Sequence, residues 1–260
     1  MNKKTWAITG SSGYLGSALS DHLENRGHRV KRLTRHQVAL TDAKLSSLHF
    51  QGADILVHAA HDFRPRKLPD LLRINCDGSK RIFQAAKAAG VSRILFISSV
   101  SAFEGCESIY GRCKLMTEKI AAQASAQVIR PGLIFGGKDG SAYGRVKKLM
   151  SLRIPILPLI DQGRAKIDLV HLDFLLTRIE DLGLSEPVQS NPIYATTETL
   201  SFLELLQRLE KKTFFKTVWI NFPYSAGIGF LRFFERLGIR LPFWSDQLVS
   251  LLKTNPIHDK

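Results

Sequence analysis

Thr-Trp-Ala-Ile-Thr-Gly-Ser-Ser-Gly-Tyr-Leu-Gly, residues 5–16, decides the fold. Its first half is a short apolar run, read as a buried strand, that leads straight into Gly10, Gly13 and Gly16. Leu15, Ala18, Leu19 and Leu23 then recur at helical spacing until Gly27 ends the pattern. In such a strand–turn–helix unit the first glycine permits the tight turn and the second lets backbone approach a pyrophosphate. The third lets the helix pack closely on the strand, and open N–H groups at the helix start hold the phosphates. Gly10, Ser12, Gly13, Tyr14, Leu15 and Gly16 are therefore candidate dinucleotide contacts.

The pattern continues as alternating strands and helices. A second strand, 29–33, ends at Thr34-Arg35. An acidic residue there would meet a free ribose 2′-OH; a guanidinium suits a 2′-phosphate, so Arg35 points to NADP(H), with NAD(H) the alternative. Residues 53–60 form a continuous apolar run, as expected of a strand covered on both faces, and small Ala59 and Ala60 at its end leave room for a cofactor. His58 is placed at the same edge as a candidate cofactor contact. Neither His58 nor His61 has ligand-like spacing, and both read as satisfied structural histidines rather than metal ligands. The basic loop 61–69 follows, then a helix over 71–89, a strand over 93–99 and another over 126–129. Strands and helices in this order give an α/β doubly wound parallel sheet of the Rossmann-like kind.

Tyr110 and Lys114, four residues apart, project from one helical face at the start of a helix-like run. An ammonium beside a phenol favours phenolate, which would lower the tyrosine from its ordinary pKa of about 10. A phenol so tuned can give or take a proton at a carbonyl or carbinol oxygen. The strand over 93–99 delivers Ser98 and Ser99 to the same sheet edge as the glycine turn, where a serine hydroxyl could grip that oxygen.

These motifs resemble an extended short-chain dehydrogenase/reductase of the NAD-dependent epimerase/dehydratase group. The matching elements are T-G-x-x-G-x-x-G at 9–16, H-A-A at 58–60, N-x-x-G at 75–78, F-I-S-S at 96–99, Y-x-x-x-K at 110–114 and R-P-G-x-x-x-G at 130–136. The resemblance implies Tyr110 as acid/base, Lys114 as its pKa tuner and ribose clamp, and Ser99 as the hydroxyl that orients the carbonyl, with Ser101 the alternative. It also implies that Asn75 organises the site and that residues 130–132, Pro131 among them, approach the nicotinamide. Two departures narrow the reaction. Val100-Ser101 stands where dehydratases of the group carry an Asp-Glu pair, and Ile167 stands where nucleotide-sugar epimerases carry a diphosphate-gripping arginine.

Bulk properties set the remaining expectations. A chain of 260 residues with 44% hydrophobic content can bury one domain plus a small lobe. The division expected is an NADP-binding domain, 1–135 with about 166–197, and a small, mostly helical substrate lobe, about 136–165 and 198–260. In that lobe Thr199 is a candidate cap for a helix over 200–209, and 154–160 is an apolar, proline-rich segment. The aromatic tail, Phe214 to Trp244, is read as lobe core in preference to a pocket wall. Three cysteines without a CxxC pair and the lack of an apolar run long enough for a span point to a cytoplasmic protein. The net charge of +14 is dispersed, which favours anionic small molecules over nucleic acid. Weak peripheral contact with an acidic membrane and a homodimer are left open. The function expected is NADP(H)-dependent hydride transfer at a small-molecule carbonyl or carbinol, a keto-sugar reductase being one form. The alternatives are an epimerase with tightly held cofactor and a non-catalytic NADP(H) sensor or assembly factor.

Overall fold

The computed structural model describes residues 3–137, 141–152, 155–184, 187–210, 217–238 and 244–253. Its sheet is built outward from β1 (Thr5–Thr9), which pairs in parallel with β2 (Arg29–Leu33) on one side and β3 (Ile55–His58) on the other. β4 (Arg93–Ile97), β5 (Gln127–Pro131) and β9 (Ile193–Ala195) extend the same sheet, in the order β2-β1-β3-β4-β5-β9. The winding direction reverses between β1 and β3. At such a switch point the loops leaving two neighbouring strands part and open a crevice.

Strand alternation splits the core in two. Trp6 and Ile8 face one layer with Leu19 and Leu23 of α1 (Tyr14–Asn25) and Leu175 and Ile179 of α5 (Leu172–Leu184). Ala7 and Leu56 face the other, with Ile82 and Phe83 of α2 (Leu68–Ala88) and Ala121 of α3 (Ile109–Gln123). Both faces are thus covered, which is why these strands read as unbroken apolar runs.

Beyond β5 the chain builds a second body. β6 (Leu133–Phe135) and β10 (Glu198–Ser201) flank β8 (Lys166–His171) in a three-stranded sheet, and β7 (Ile156–Ile160) pairs in parallel with β11 (Val218–Phe222). α4 (Ala142–Ser151) and α6 (Phe202–Glu210) close a third core with Val146, Met150, Leu157, Leu159, Leu205 and Leu209. α7 (Tyr224–Arg236) and α8 (Ser245–Leu252) follow.

Several boundaries differ from the sequence reading. α2 begins three residues earlier, because Pro69 fits the first helical turn, where no N–H partner is needed. α3 begins at Ile109, so Tyr110 lies inside the helix. The strand placed at 126–129 runs on through Pro131. Thr199 does not cap α6: it lies in β10 and donates to Asp168 Oδ1 at 2.7 Å. Ser201 is the cap instead, accepting from Glu204 N at 3.2 Å while the Glu204 carboxylate accepts from Ser201 N at 2.7 Å. The proline-rich segment contains a strand, β7, that tolerates Pro158 because it is the edge of a two-stranded sheet. The tail is not uniformly core: Phe222, Phe230 and Phe233 are exposed, while Phe214, Phe215 and Phe243 lie outside the described residues.

Candidate active site

The crevice at the switch point is a cleft of about 1330 Å³. Ligand pockets usually occupy roughly 300–1,000 Å³, so the space suits a dinucleotide with a second molecule beside it. Gly10, Ser12, Gly13, Tyr14, Leu15 and Gly16 line one end. Gly10 has φ +71°, and a Cβ there would stand 2.9 Å from Ala60 backbone atoms; one at Gly16 would stand 2.2 Å from Gly10 O. Only glycine permits this approach of turn, helix and β3 end. α1 starts without a side-chain cap, which leaves its first N–H groups to a phosphate. The residues present therefore fit a dinucleotide.

Arg35 is exposed just past β2 and lines the same end of the cleft. It makes no ion pair among the described residues, whereas the neighbouring Arg32 is held by Asp21 and Glu24 at 2.6 and 2.7 Å. Ala59, Ala60 and Pro131 line the cleft as expected, but His58 does not. The His58 ring is fully buried between Thr9 Oγ1 (2.7 Å) and Ser79 Oγ (2.8 Å), and burial lowers its pKa to about 3. It is a neutral strut tying β1 and β3 to α2, with no side-chain route to a cofactor. Arg130 also turns away from the cleft: it grips Glu118 at 2.6 Å and the Tyr194 hydroxyl at 2.6 Å.

Ser99, Tyr110 and Lys114 line the cleft together. Burial pushes the Tyr110 phenol up to about 12, and the neighbouring Ser99 hydroxyl only partly offsets it. Lys114 is driven down to about 8, again by burial. Its Nζ donates to Ile97 O at 2.8 Å and lies 6.0 Å from the Tyr110 ring centroid, over the ring. The downward pull expected from Lys114 is absent: burial dominates the Tyr110 shift, and only Ser99 opposes it. Ser101, buried at the same cleft, is taken up by α8: its hydroxyl donates to Ser250 O at 3.1 Å, while its N–H donates to Ser99 Oγ at 3.2 Å. That leaves Ser99 as the hydroxyl at the phenol.

Further side chains complete the surroundings, among them Phe63 and Asp246, which carried no mark in the sequence. His61 packs edge-on to Tyr110 at 5.2 Å and Phe63 stacks on it at 5.7 Å. Burial and the Lys114 charge hold His61 well below the ordinary histidine range. Asn75 accepts from Asp62 N at 2.7 Å and donates to Asp62 O at 3.1 Å, which fixes the loop carrying both rings. Across the cleft mouth the Arg66 guanidinium lies 3.6 Å from the Trp244 ring centroid. The Asp246 carboxylate of α8 accepts from Ile109 N at 2.6 Å and Tyr110 N at 3.2 Å, beside the Ser108 cap that accepts from Gly111 N at 3.0 Å. The helix that carries the tyrosine is thus anchored from the lobe.

A doubly wound sheet with a glycine turn, and a serine, a tyrosine and a lysine gathered at one edge of its cleft, place the fold in the extended short-chain dehydrogenase/reductase class. The chain belongs to the NAD-dependent epimerase/dehydratase family, which it matches over residues 6–173. It is 30% identical over 184 residues to a ceramide reductase of Caulobacter vibrioides, with 64% of this chain and 57% of that protein aligned. The chain thus spans little more than half of that relative's length. To a UDP-glucose 4-epimerase of Vibrio cholerae it is 25% identical over 247 residues, covering 79% and 75% of the two chains. A short-chain dehydrogenase/reductase superfamily protein from Agrobacterium tumefaciens with bound NAD shares the fold at TM-score 0.70 and 18% identity, with 95% of each chain covered. No helix among the described residues is long and apolar enough to cross a membrane.

Proposed function

We propose that the protein is an NADP(H)-dependent reductase of a small-molecule carbonyl. The observation that carries this reading is the convergence of Ser99, Tyr110 and Lys114 in one cleft with the glycine turn. When bound, the nicotinamide supplies hydride to the carbonyl carbon. Ser99 orients the carbonyl oxygen, and Tyr110 donates its phenolic proton to that oxygen as negative charge develops there. A phenol near 12 is fully protonated at neutral pH, so it stands ready as an acid; oxidation of a carbinol would need the phenolate. Lys114 contributes positive charge below its pKa of about 8 and replaces the departing proton's field. Gly10 to Gly16 hold the pyrophosphate, and Arg35 holds the 2′-phosphate that distinguishes NADP(H). His61 and Phe63 wall the tyrosine from water.

Keto-sugars and lipid ketones are the two substrate groups to try first; the relative named a ceramide reductase supports the second. An epimerase that keeps its cofactor is the competing reading, favoured by the alignment with the UDP-glucose 4-epimerase. Against it, position 167 is a buried isoleucine in the lobe core, leaving no guanidinium there for a diphosphate. Steady consumption of NADPH at 340 nm with a carbonyl panel is the expected result, lost by about 10²–10⁴-fold in Tyr110→Phe. Substrate turnover without net loss of NADPH would establish the epimerase. Tight NADPH binding with no turnover across the panel would make the protein a binding factor.

A further inference from the structure

β7 and β11 form a parallel two-stranded sheet whose inner side chains Leu157, Leu159 and Trp219 pack into the lobe core. The alternate residues face outward, and every one of them from Ile156 to Ile220 is apolar. Ile156 is 54% exposed, Val218 62% and Ile220 46%, with exposed Pro158 paired to Ile220. Parallel sheets are normally covered on both faces, and a solvated face is normally polar. The same row ends at Ile160, against which Gly227 of α7 packs closely; a Cβ there would stand 2.9 Å from Ile160 Cδ1. α7 continues the pattern. Phe230, Phe233, Phe234 and Leu237 recur at i, i+3, i+4 and i+7, and three of them are 61%, 57% and 59% exposed (Phe230, Phe233, Leu237). The phenylalanine rings cluster with one another, 4.6 and 5.6 Å apart, while Ile228 faces inward. A helix with its apolar stripe outward and arginines at 232 and 236 beside it is built for an interface.

We propose that this face docks the protein on an anionic lipid bilayer. The charge selects the occupant: a chain of net charge +14 is drawn to an acidic surface, whereas a second copy would bring the same charge against it. Exposed phenylalanines and leucine supply insertion, and the basic surface supplies the second attraction that stable peripheral binding needs. Arg232 and Arg236 also line the cleft, so docking sets the cleft mouth at the lipid surface. The proposal stands whichever carbonyl the site reduces.

The test is co-sedimentation with phosphatidylcholine vesicles prepared with and without phosphatidylglycerol, at low and high salt, for wild type and Phe230→Ser/Phe233→Ser. Thermal melting and NADPH affinity of the variant check that its fold and cofactor seat are intact. Wild type should pellet with the phosphatidylglycerol vesicles, less so at high salt. The variant should partition at least about tenfold more weakly (about 1.4 kcal/mol). For a variant that melts too low to test, Val218→Thr/Ile220→Thr on β11 gives the same readout from the other half of the face. Wild type staying in the supernatant, or variants pelleting as fully as wild type, overturns the proposal. So does a wild-type dimer in analytical ultracentrifugation that these substitutions dissociate.

Discussion

Replacing Asp246 by alanine removes the carboxylate that anchors the start of α3 from the lobe. Two backbone donors lose their acceptor, Ile109 N at 2.6 Å and Tyr110 N at 3.2 Å, whereas Gly111 N keeps Ser108. Hydrogen bonds to charged groups contribute roughly 1.5–3 kcal/mol and a helix N-terminal carboxylate about 0.3–1 kcal/mol more. Burial works against this: it raises the Asp246 pKa, and the two amide bonds do not bring it back. The expected loss is therefore at the low end, about 1–2 kcal/mol, read as a lower midpoint in urea with an unchanged slope. Catalysis should suffer more than folding. Tyr110 sits in the turn that loosens, and a misplacement of about 1 Å can cost on the order of 10²-fold in rate. NADPH affinity, set at the glycine turn, should stay within about twofold, since no contact there changes. A variant with wild-type turnover and an unshifted midpoint would refute the reasoning, because α3 would then hold its place without the lobe.

Three further outcomes are expected. Lys114 is held down to about 8, so its charge is nearly complete at pH 7 and lost as pH rises through 8; kcat for ketone reduction should fall above about pH 8, and a profile flat to pH 10 would exclude the ammonium from the step. Tyr110, near 12, stays protonated across that range and adds no limb. Arg35→Asp should turn the cofactor preference from NADPH toward NADH by at least about tenfold, measured as the ratio of the two affinities; an unchanged ratio would remove Arg35 from the 2′-phosphate. Gly10→Ala meets Ala60 backbone at 2.9 Å with φ at +71°, so dinucleotide binding should be abolished or the fold lost. An alanine variant that bound NADPH normally would contradict the proposed seat.

The parts of the site legible in the sequence are those written within one strand–turn–helix unit. Gly10 to Gly16 and the Tyr110–Lys114 pair lie close in sequence, so spacing alone conveys their geometry. Ser99 was reachable because a strand's carboxyl end always faces the crevice. Contacts across the fold left no such trace: Asp246 meets Ile109 over 137 residues, and no local pattern marks it. His58 shows a different limit. Its place at the strand end was right, yet alternation turned the ring toward Thr9 and Ser79 rather than the cleft. The cap of α6 was visible, since Ser201-x-x-Glu204 is the reciprocal capping pattern, but Thr199 drew the assignment two residues too early. Aromatic density in the tail said nothing about direction. Phe230 and Phe233 face out because α7 turns Ile228 inward instead.

The two halves of the cleft are held by different forces, and the division has a chemical consequence. The cofactor end is made of backbone: turn, helix start and the Ala59–Ala60 step, locked by contacts that a Cβ would break. The reactive end is made of side chains that meet α8. Asp246 holds the turn bearing Tyr110, Ser250 holds Ser101 next to Ser99, and Trp244 receives Arg66 from the loop bearing His61 and Phe63. Each segment that contributes a side chain to the chemistry is therefore tied to one short helix. A small movement of α8 would shift all three together while leaving the phosphate seat untouched. On the proposed reading, the phosphate seat is fixed by sterics within the sheet domain, and proton transfer by whether α8 is in place.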